Sequence, residues 1–311
     1  MMKQIQEFIK TIKWLNRLRI ANEHKQIDIQ SAGYYKHNKV IVGKLLSKLN
    51  SQVNDINSLD DVEFQVFSQF GDDGIIQYLV KKIPNLPKTF VEFGVENYVE
   101  SNTRFLLINN LWSGLVIDGN AENINYIHKD IISTLFNLTS FHTFVTAENI
   151  NEVLNFHNLK GTIGLMSIDI DGMDYWVWKS LTIVEPIILI IEYNSIFGND
   201  QPFVVPYDPL FNREKAHPSR LYWGASLPAL YYLGKEKGYS FIGCNSNGNN
   251  AYFIKTEHLG NIKSLNITEG FVNATFNEYC RDGQTIRGDI KQEVIKGMPV
   301  YNTISMRNET L

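Results

Sequence analysis

Two apolar runs, Thr89-Phe90-Val91-Glu92-Phe93-Gly94-Val95 and Gly114-Leu115-Val116-Ile117-Asp118-Gly119, each end in an acid and a glycine. An apolar run without polar alternation is what a parallel strand covered on both faces looks like, and a glycine at its carboxyl end lets a ligand approach the backbone closely. Asp118 follows the first motif by about 25 residues, near the offset at which doubly wound folds place an acid on ribose hydroxyls. The pair therefore reads as a site for an adenosine-type cofactor. A dinucleotide would require G-x-G-x-x-G, so that a helix N-terminus can receive the pyrophosphate. This chain has Gly94-Val95-Glu96-Asn97-Tyr98-Val99-Glu100, with one glycine and two further carboxylates. Acids there repel a diphosphate but can face the positive sulfonium and ammonium of S-adenosylmethionine.

A second constellation follows. Leu165-Met166-Ser167-Ile168-Asp169-Ile170-Asp171-Gly172-Met173-Asp174 puts three carboxylates where a strand gives way to a helix, and Ile187-Ile188-Leu189-Ile190-Ile191-Glu192-Tyr193-Asn194 ends in an acid and an amide. Ligand sites of open sheets lie at that carboxyl edge. If these strands are neighbours, Asp169 or Asp171 faces Glu192 and Asn194, and an all-oxygen set of Asp169, Glu192 and Asn194 suits Mg²⁺ or Mn²⁺. Such an ion lowers the pKa of an aliphatic hydroxyl and orients it. Without a metal, Asp169 and Asp171 could act as general bases, or Asp174 could cap the next helix. His217, with an ordinary pKa near neutrality, is a further candidate base.

These residues need a sheet to hold them. From Phe90 onward the pattern alternates strand and helix: strands over 89–95, 113–118, 141–146, 163–169 and 187–193, and helices over 102–111, 121–133, 149–157, 174–183 and 225–237. Closing strands over 239–244 and 250–255 flank Asn245-Ser246-Asn247-Gly248-Asn249, a turn signal. The expected architecture is α/β: a doubly wound, mostly parallel, seven-stranded sheet with an N-terminal helical appendage. Gly71-Asp72-Asp73-Gly74 precedes another helix, with Asp72 or Asp73 suited to its N-cap. The connection from Ser195 to Trp223 exceeds the usual loop length, which marks it as functional. Its Pro202, Tyr207, Phe211, Tyr222 and Trp223 read as an aromatic wall, and Arg213, Lys215, His217 and Arg220 suit an acceptor with sugar faces and an anionic group, such as a nucleotide sugar or phosphorylated glycan.

The order Val91-Glu92-Phe93-Gly94-Val95, Ser101-Asn102-Thr103-Arg104, Val116-Ile117-Asp118-Gly119 and Ile168-Asp169-Ile170-Asp171-Gly172-Met173-Asp174 resembles the FkbM family of class I S-adenosylmethionine-dependent methyltransferases, over about residues 65–255. The family's fourth-strand motif is usually I-D-V-E-G-x-E, so Asp171 and Asp174 stand where glutamates are usual. The resemblance implies O-methylation of sugars or natural products, as in bacterial surface-glycan assembly. It also implies that Glu92, Gly94, Ser101 and Asn102 line the methionine part of the cofactor, that Asp118 and Gly119 lie at the ribose, and that Ala147 and Glu148 lie at the adenine edge.

Composition bounds the alternatives. The chain has 311 residues, 44% of them hydrophobic, and a formal net charge of -4, which speaks against a nucleic-acid partner. Cys244 and Cys280 are its two cysteines, too few for a disulfide scaffold, which points to the cytoplasm. No apolar run reaches the roughly 18 residues that cross a bilayer. A basic amphipathic N-terminal segment, apolar at Ile5, Phe8, Ile9, Ile12, Leu15 and Leu18, suits docking or peripheral membrane contact. Val42, Leu45, Leu49, Val53, Ile56 and Leu59 form a seam suited to homo-oligomerisation. The expected partition is a helical appendage over 1–60, a cofactor-binding domain over 61–260 and an extension over 261–311. An NAD-dependent oxidoreductase and a non-catalytic nucleotide-binding module remain as other readings of the strand-acid-glycine pattern.

Overall fold

The computed structural model describes residues 38–274, 278–279, 285–286 and 290–311. The amphipathic segment from Ile5 to Leu18 and Cys280 lie outside the described residues. The chain divides into two units between Leu46 and Ser47, and of the first only residues 38–46 are described. A helix, α1, runs over 38–50. Of the expected seam, Leu49 is exposed, while Val53, Ile56 and Leu59 pack into the core.

The larger unit is built from alternating strands and helices. In chain order these are α2 (Asp72–Lys82), β1 (Thr89–Phe93), α3 (Arg104–Asn110), β2 (Ser113–Asp118), α4 (Ala121–Lys129), α5 (Ile132–Leu135), β3 (Leu138–His142), α6 (Ile150–Phe156), β4 (Gly161–Ile168), α7 (Asp174–Ser180) and β5 (Val184–Glu192). There follow β6 (Phe203–Val204), α8 (Arg213–Ala216), α9 (Leu227–Glu236), β7 (Tyr239–Cys244) and β8 (Asn250–Lys255). The main sheet has the order β3-β2-β1-β4-β5-β8-β7, with β1 to β5 parallel and β8 antiparallel to both its neighbours. That order, with its single reversed strand, is the class I methyltransferase fold.

Strand alternation divides the core. Val91, Phe93, Leu115 and Ile117 bury against one helical layer, and Phe90 and Val116 against the other. Burying each such side chain contributes about 1.5–3 kcal/mol, so the central strands are fixed in register at the edge that carries the acids. A third cluster joins the long connection to the C-terminal segment. There β6 pairs with β9 (Pro299–Asn302), which pairs with β10 (Arg307–Thr310).

Three expected boundaries shift for local reasons. The third strand covers 138–142 rather than 141–146, because Asn149 Oδ1 takes the Thr146 N–H and turns the chain, while Val145 drops into the core. The expected helix over 121–133 divides at Asp130, whose Oδ1 accepts from the Ile132 N–H and whose other oxygen pairs with Arg104. Neither Asp72 nor Asp73 is the N-cap of α2; Gly71 holds that position. Both acids are instead buried. Asp73 Oδ2 accepts from the N–H groups of Val66, Phe67 and Ser68, and Asp72 accepts from Asn245, Asn250 and Tyr252.

Candidate active site

The carboxyl ends of β1, β2, β4 and β5 surround a cavity of about 370 Å³. One side of it is bordered by Gly94, Glu96, Asp118, Gly119, Phe144 and Val145, and the other by Asp169, Asp171, Glu192, Arg213, Asn249 and Asn250. Since β1 sits between β2 and β4, the two acid-glycine motifs and the acidic cluster open into one space.

On the first side, Glu92 acts as a clamp. Its carboxylate accepts from Ser101 Oγ at 2.6 Å, the Asn102 N–H at 2.9 Å and the Thr103 N–H at 3.1 Å, and from Thr103 Oγ1. Burial pushes its pKa up, opposed by these donors. Ser101 and Asn102 thus reach the cavity wall on a loop that Glu92 holds, and Asn102 Nδ2 donates to Ser167 Oγ. Gly94 has φ +72, and a Cβ there would lie 1.6 Å from the Asp169 carbonyl oxygen, so a side chain would drive β1 away from β4. Asp118 Oδ2 accepts from the Glu96 N–H and Oδ1 from the Asn120 N–H and Asn123 Nδ2, at 2.8–3.0 Å. Each carboxylate oxygen has about two acceptor sites, so Oδ2 can still take a ribose hydroxyl. The residues fit an adenosine group: an anchored acid, a glycine that admits backbone approach and, at Phe144 beside Gly119, an exposed ring.

The adenine-edge expectation moves. Ala147 and Glu148 do not border the cavity; Thr143, Phe144 and Val145 do. Tyr207 of the long connection holds both displaced residues, donating to Glu148 Oε2 at 2.5 Å and accepting from the Ala147 N–H at 3.2 Å. Because β3 ends at His142, the residues just beyond it reach the site first.

On the second side, one oxygen each of Asp169, Asp171 and Glu192 lie within 4.8 Å of one another. Glu192 is 7% exposed, and its Oε2 is buried without a hydrogen-bond partner. Burial, and then the neighbouring acids, hold both Asp169 and Glu192 well above the usual carboxylate range. Two such carboxylates in contact with no protein donor between them require either a shared proton or a cation. Asp171 has φ +57, a left-handed backbone uncommon outside glycine, and its carboxylate pairs with Arg213 at 3.0 Å. Asp174 is withdrawn from the chemistry: its oxygens accept from the N–H groups of Ile170 and Gly172, and burial raises its pKa to about 6.

Asn194 does not join this cluster, a correction to the expected ligand set. Its Nδ2 donates to the carbonyls of Leu221 and Trp223, and its Oδ1 accepts from the Ile196 N–H, so it fastens the long connection. Asp171 takes the third place. His217 is a second correction: its ring nitrogen is engaged by Ser219 and it does not border the cavity. Arg213, one turn earlier on α8, is the basic group that does, stacked 4.6 Å from the Trp223 ring centre. The expected aromatic wall also turns inward. Tyr222 is buried, and it and Phe211 pack with Val300 and Ile295. Gln69, Asn249 and Asn250 border the cavity without having been picked out from the sequence. The signal present was the Asn-rich turn, which reads as a hairpin and not as a binding loop.

No protein-family model and no curated protein matches this chain. Among solved structures, it is similar to the N-terminal domain of EvdMO1 with SAH bound, at 11% identity over 60% of this chain and 80% of that one, with a TM-score of 0.38. A S-adenosylmethionine-dependent methyltransferase from Clostridium acetobutylicum aligns at 11% identity over 59% and 89%, with a TM-score of 0.37. A SAM-dependent methyltransferase from Aquifex aeolicus aligns at 10% identity over 57% and 87%, with a TM-score of 0.33. The fold assignment rests on the strand order itself. Among the described residues, no helix is long and apolar enough to cross a membrane.

Proposed function

We propose that this chain is an S-adenosylmethionine-dependent O-methyltransferase that acts on a hydroxyl of a small, carbohydrate-like acceptor with the help of a divalent ion. The observation that carries the reading is the donor-free oxygen of Glu192 beside Asp169 and Asp171, in the same cavity as the Asp118 and Gly94 motifs. Asp118 binds the ribose hydroxyls, while Gly94 lets the methionine part lie against the backbone. Asp169, Asp171 and Glu192 would hold Mg²⁺ or Mn²⁺, which when bound lowers the pKa of an acceptor hydroxyl. The acceptor oxygen forms its bond to the methyl carbon as the carbon–sulfur bond breaks; with the carboxylates engaged as ligands the hydroxyl proton leaves to solvent water, and without an ion it passes to the Asp169 and Glu192 pair.

A second reading keeps the same residues without a metal. Their arrangement favours it, because Asp169 and Glu192 lie together with no donor to Glu192 Oε2, and burial and mutual repulsion raise both, which strengthens them as bases. Chelation separates the two. With an acceptor found by screening, exhaustive EDTA treatment should abolish turnover while S-adenosylhomocysteine still binds, and Mn²⁺ should restore it. Full activity after chelation selects the carboxyl base. Calorimetry with S-adenosylhomocysteine and NAD tests the class itself: NAD binding without S-adenosylhomocysteine binding would overturn the methyltransferase reading and favour an oxidoreductase.

A further inference from the structure

The charge of this chain is unevenly placed. Residues 1–50 carry ten basic and three acidic side chains, and the remainder nineteen and thirty. Such an asymmetry points to an anionic partner for the basic part. Helix α1 lies at its end. Its charged residues are Lys39, Lys44 and Lys48, with no acid between Asn38 and Asn50. Ile41, Val42, Leu45 and Leu49 form an apolar stripe on the same helix, and each is 45–59% exposed. With about 3.6 residues per turn, these four fall within about a third of the circumference. Lys44 and Lys48, both exposed, border the stripe on one edge, and Lys39 lies beyond the other. The last turn is fastened from the opposite side of the helix, where Ser47 Oγ donates to Gln77 Oε1 at 2.9 Å and Asn50 Nδ2 to the Val62 carbonyl at 2.6 Å.

We propose that α1 docks on an anionic lipid surface, lying in the plane of the headgroups with Ile41, Val42, Leu45 and Leu49 toward the acyl chains and Lys44 and Lys48 at the phosphates. The proposal is independent of the methyltransferase reading. The stripe loses its contact with water there, each lysine adds attraction to the anionic surface, and the lysine stems can lie along the apolar boundary while their ammonium groups reach the phosphates. A second copy of the chain suits this face less well. Pairing α1 with α1 would set the lysines beside one stripe against those beside the other, with no acid in the helix to answer them. The expected seam is also shortened, because Val53, Ile56 and Leu59 are used inside the fold. What is left spans about two turns, short of the three to four heptads of a coiled coil. A nucleic acid would answer the lysines but leave the exposed leucines in water.

Co-sedimentation of the full chain with vesicles tests this, using phosphatidylcholine alone and phosphatidylcholine with about one third phosphatidylglycerol. The anionic vesicles should be bound about tenfold more tightly than the neutral ones, and the difference should shrink as salt is raised. Leu45→Ser with Leu49→Ser, both at exposed positions, should weaken binding to the anionic vesicles about tenfold, and Lys44→Gln with Lys48→Gln by a similar factor, with the melting temperature of each variant unchanged. Absence of binding to the anionic vesicles would overturn the proposal. So would binding that the lysine pair weakens and the leucine pair leaves intact, which marks a contact made by charge alone, as with a nucleic acid. Sedimentation velocity without lipid covers the remaining occupant: a dimer that the leucine pair dissociates assigns the stripe to a second copy and overturns the lipid proposal.

Discussion

Glu92 and Glu192 are both buried glutamates at the carboxyl end of a parallel strand, separated in the sheet by β4, yet they live in opposite environments. Glu92 gathers donors from three consecutive residues and so shapes a loop. Glu192 meets carboxylates and has an oxygen with no donor at all. Burial raises the pKa of both, but only around Glu192 do the surrounding acids raise it further. An acid whose donors come from the protein is part of the fold. One that lacks them is destabilising unless something outside the chain completes it, and that is the physical signature of a working site.

The comparison breaks most visibly under substitution. Glu192→Gln should lower turnover by on the order of 10²- to 10⁴-fold while leaving the melting temperature unchanged or higher, because a repelling carboxylate is removed. Glu92→Ala should act the other way, leaving the Ser101 hydroxyl and the Asn102 N–H without their acceptor at about 1–3 kcal/mol each and lowering the melting temperature. Thermal denaturation and turnover measured on both variants decide it. If Glu192→Gln unfolds the protein, the two acids are alike and the contrast fails.

Next in size is the cofactor half. Asp118→Ala should weaken S-adenosylhomocysteine binding more than tenfold, since a charge-assisted hydrogen bond contributes about 1.5–3 kcal/mol. Unchanged affinity by calorimetry in a folded variant would remove Asp118 from the site. Metal affinity should depend on pH for a stated reason. A proton held by the raised Asp169 and Glu192 pair must leave before a cation enters, so Mn²⁺ should bind more tightly as pH rises, by about tenfold per unit below the raised pKa. The same shift makes the metal-free fold less stable as pH rises through that range, because the folded state binds the proton more tightly than the unfolded chain does. Mn²⁺ titrations across pH by electron paramagnetic resonance would show a flat profile if the pair holds no proton.

How legible the site was in the sequence follows the same division. Glu92, Gly94, Asp118, Asp169 and Glu192 lie on or immediately after strands whose apolar runs fix them at one edge, so reading the strands was enough to place them. Asn194, His217, Ala147 and Glu148 lie one or more residues beyond the regular structure, where local hydrogen bonds decide the direction of each side chain. An Asx turn claims Asn194, and Ser219 claims His217. Gln69 and Asn249 come to the site through contacts between segments far apart in the chain, such as Asn250 with Asp72, which no local pattern encodes. The aromatic residues of the long connection, expected as a wall for an acceptor, pack inward at Phe211 and Tyr222, because their partners at Ile295 and Val300 lie close to the C-terminus.

The smallest effect should come from the Tyr207 clasp, which ties the long connection to the segment after β3 through Glu148 and the Ala147 N–H. Tyr207 also packs on Trp176, whose indole N–H donates to the Val205 carbonyl, so the connection is already fastened next to the clasp. Tyr207→Phe keeps the ring contact and removes only the hydroxyl. Because Glu148 is exposed and water can replace the lost bond, the melting temperature should not change. In the proposed reading the hydroxyl sets how closely Thr143 to Val145 are held at the adenine edge, so the KM for S-adenosylmethionine should rise a few-fold with kcat unaltered. A fall in kcat of an order of magnitude would instead place Tyr207 on the reacting side of the cavity, and the division between a cofactor half and an acceptor half would have to be redrawn.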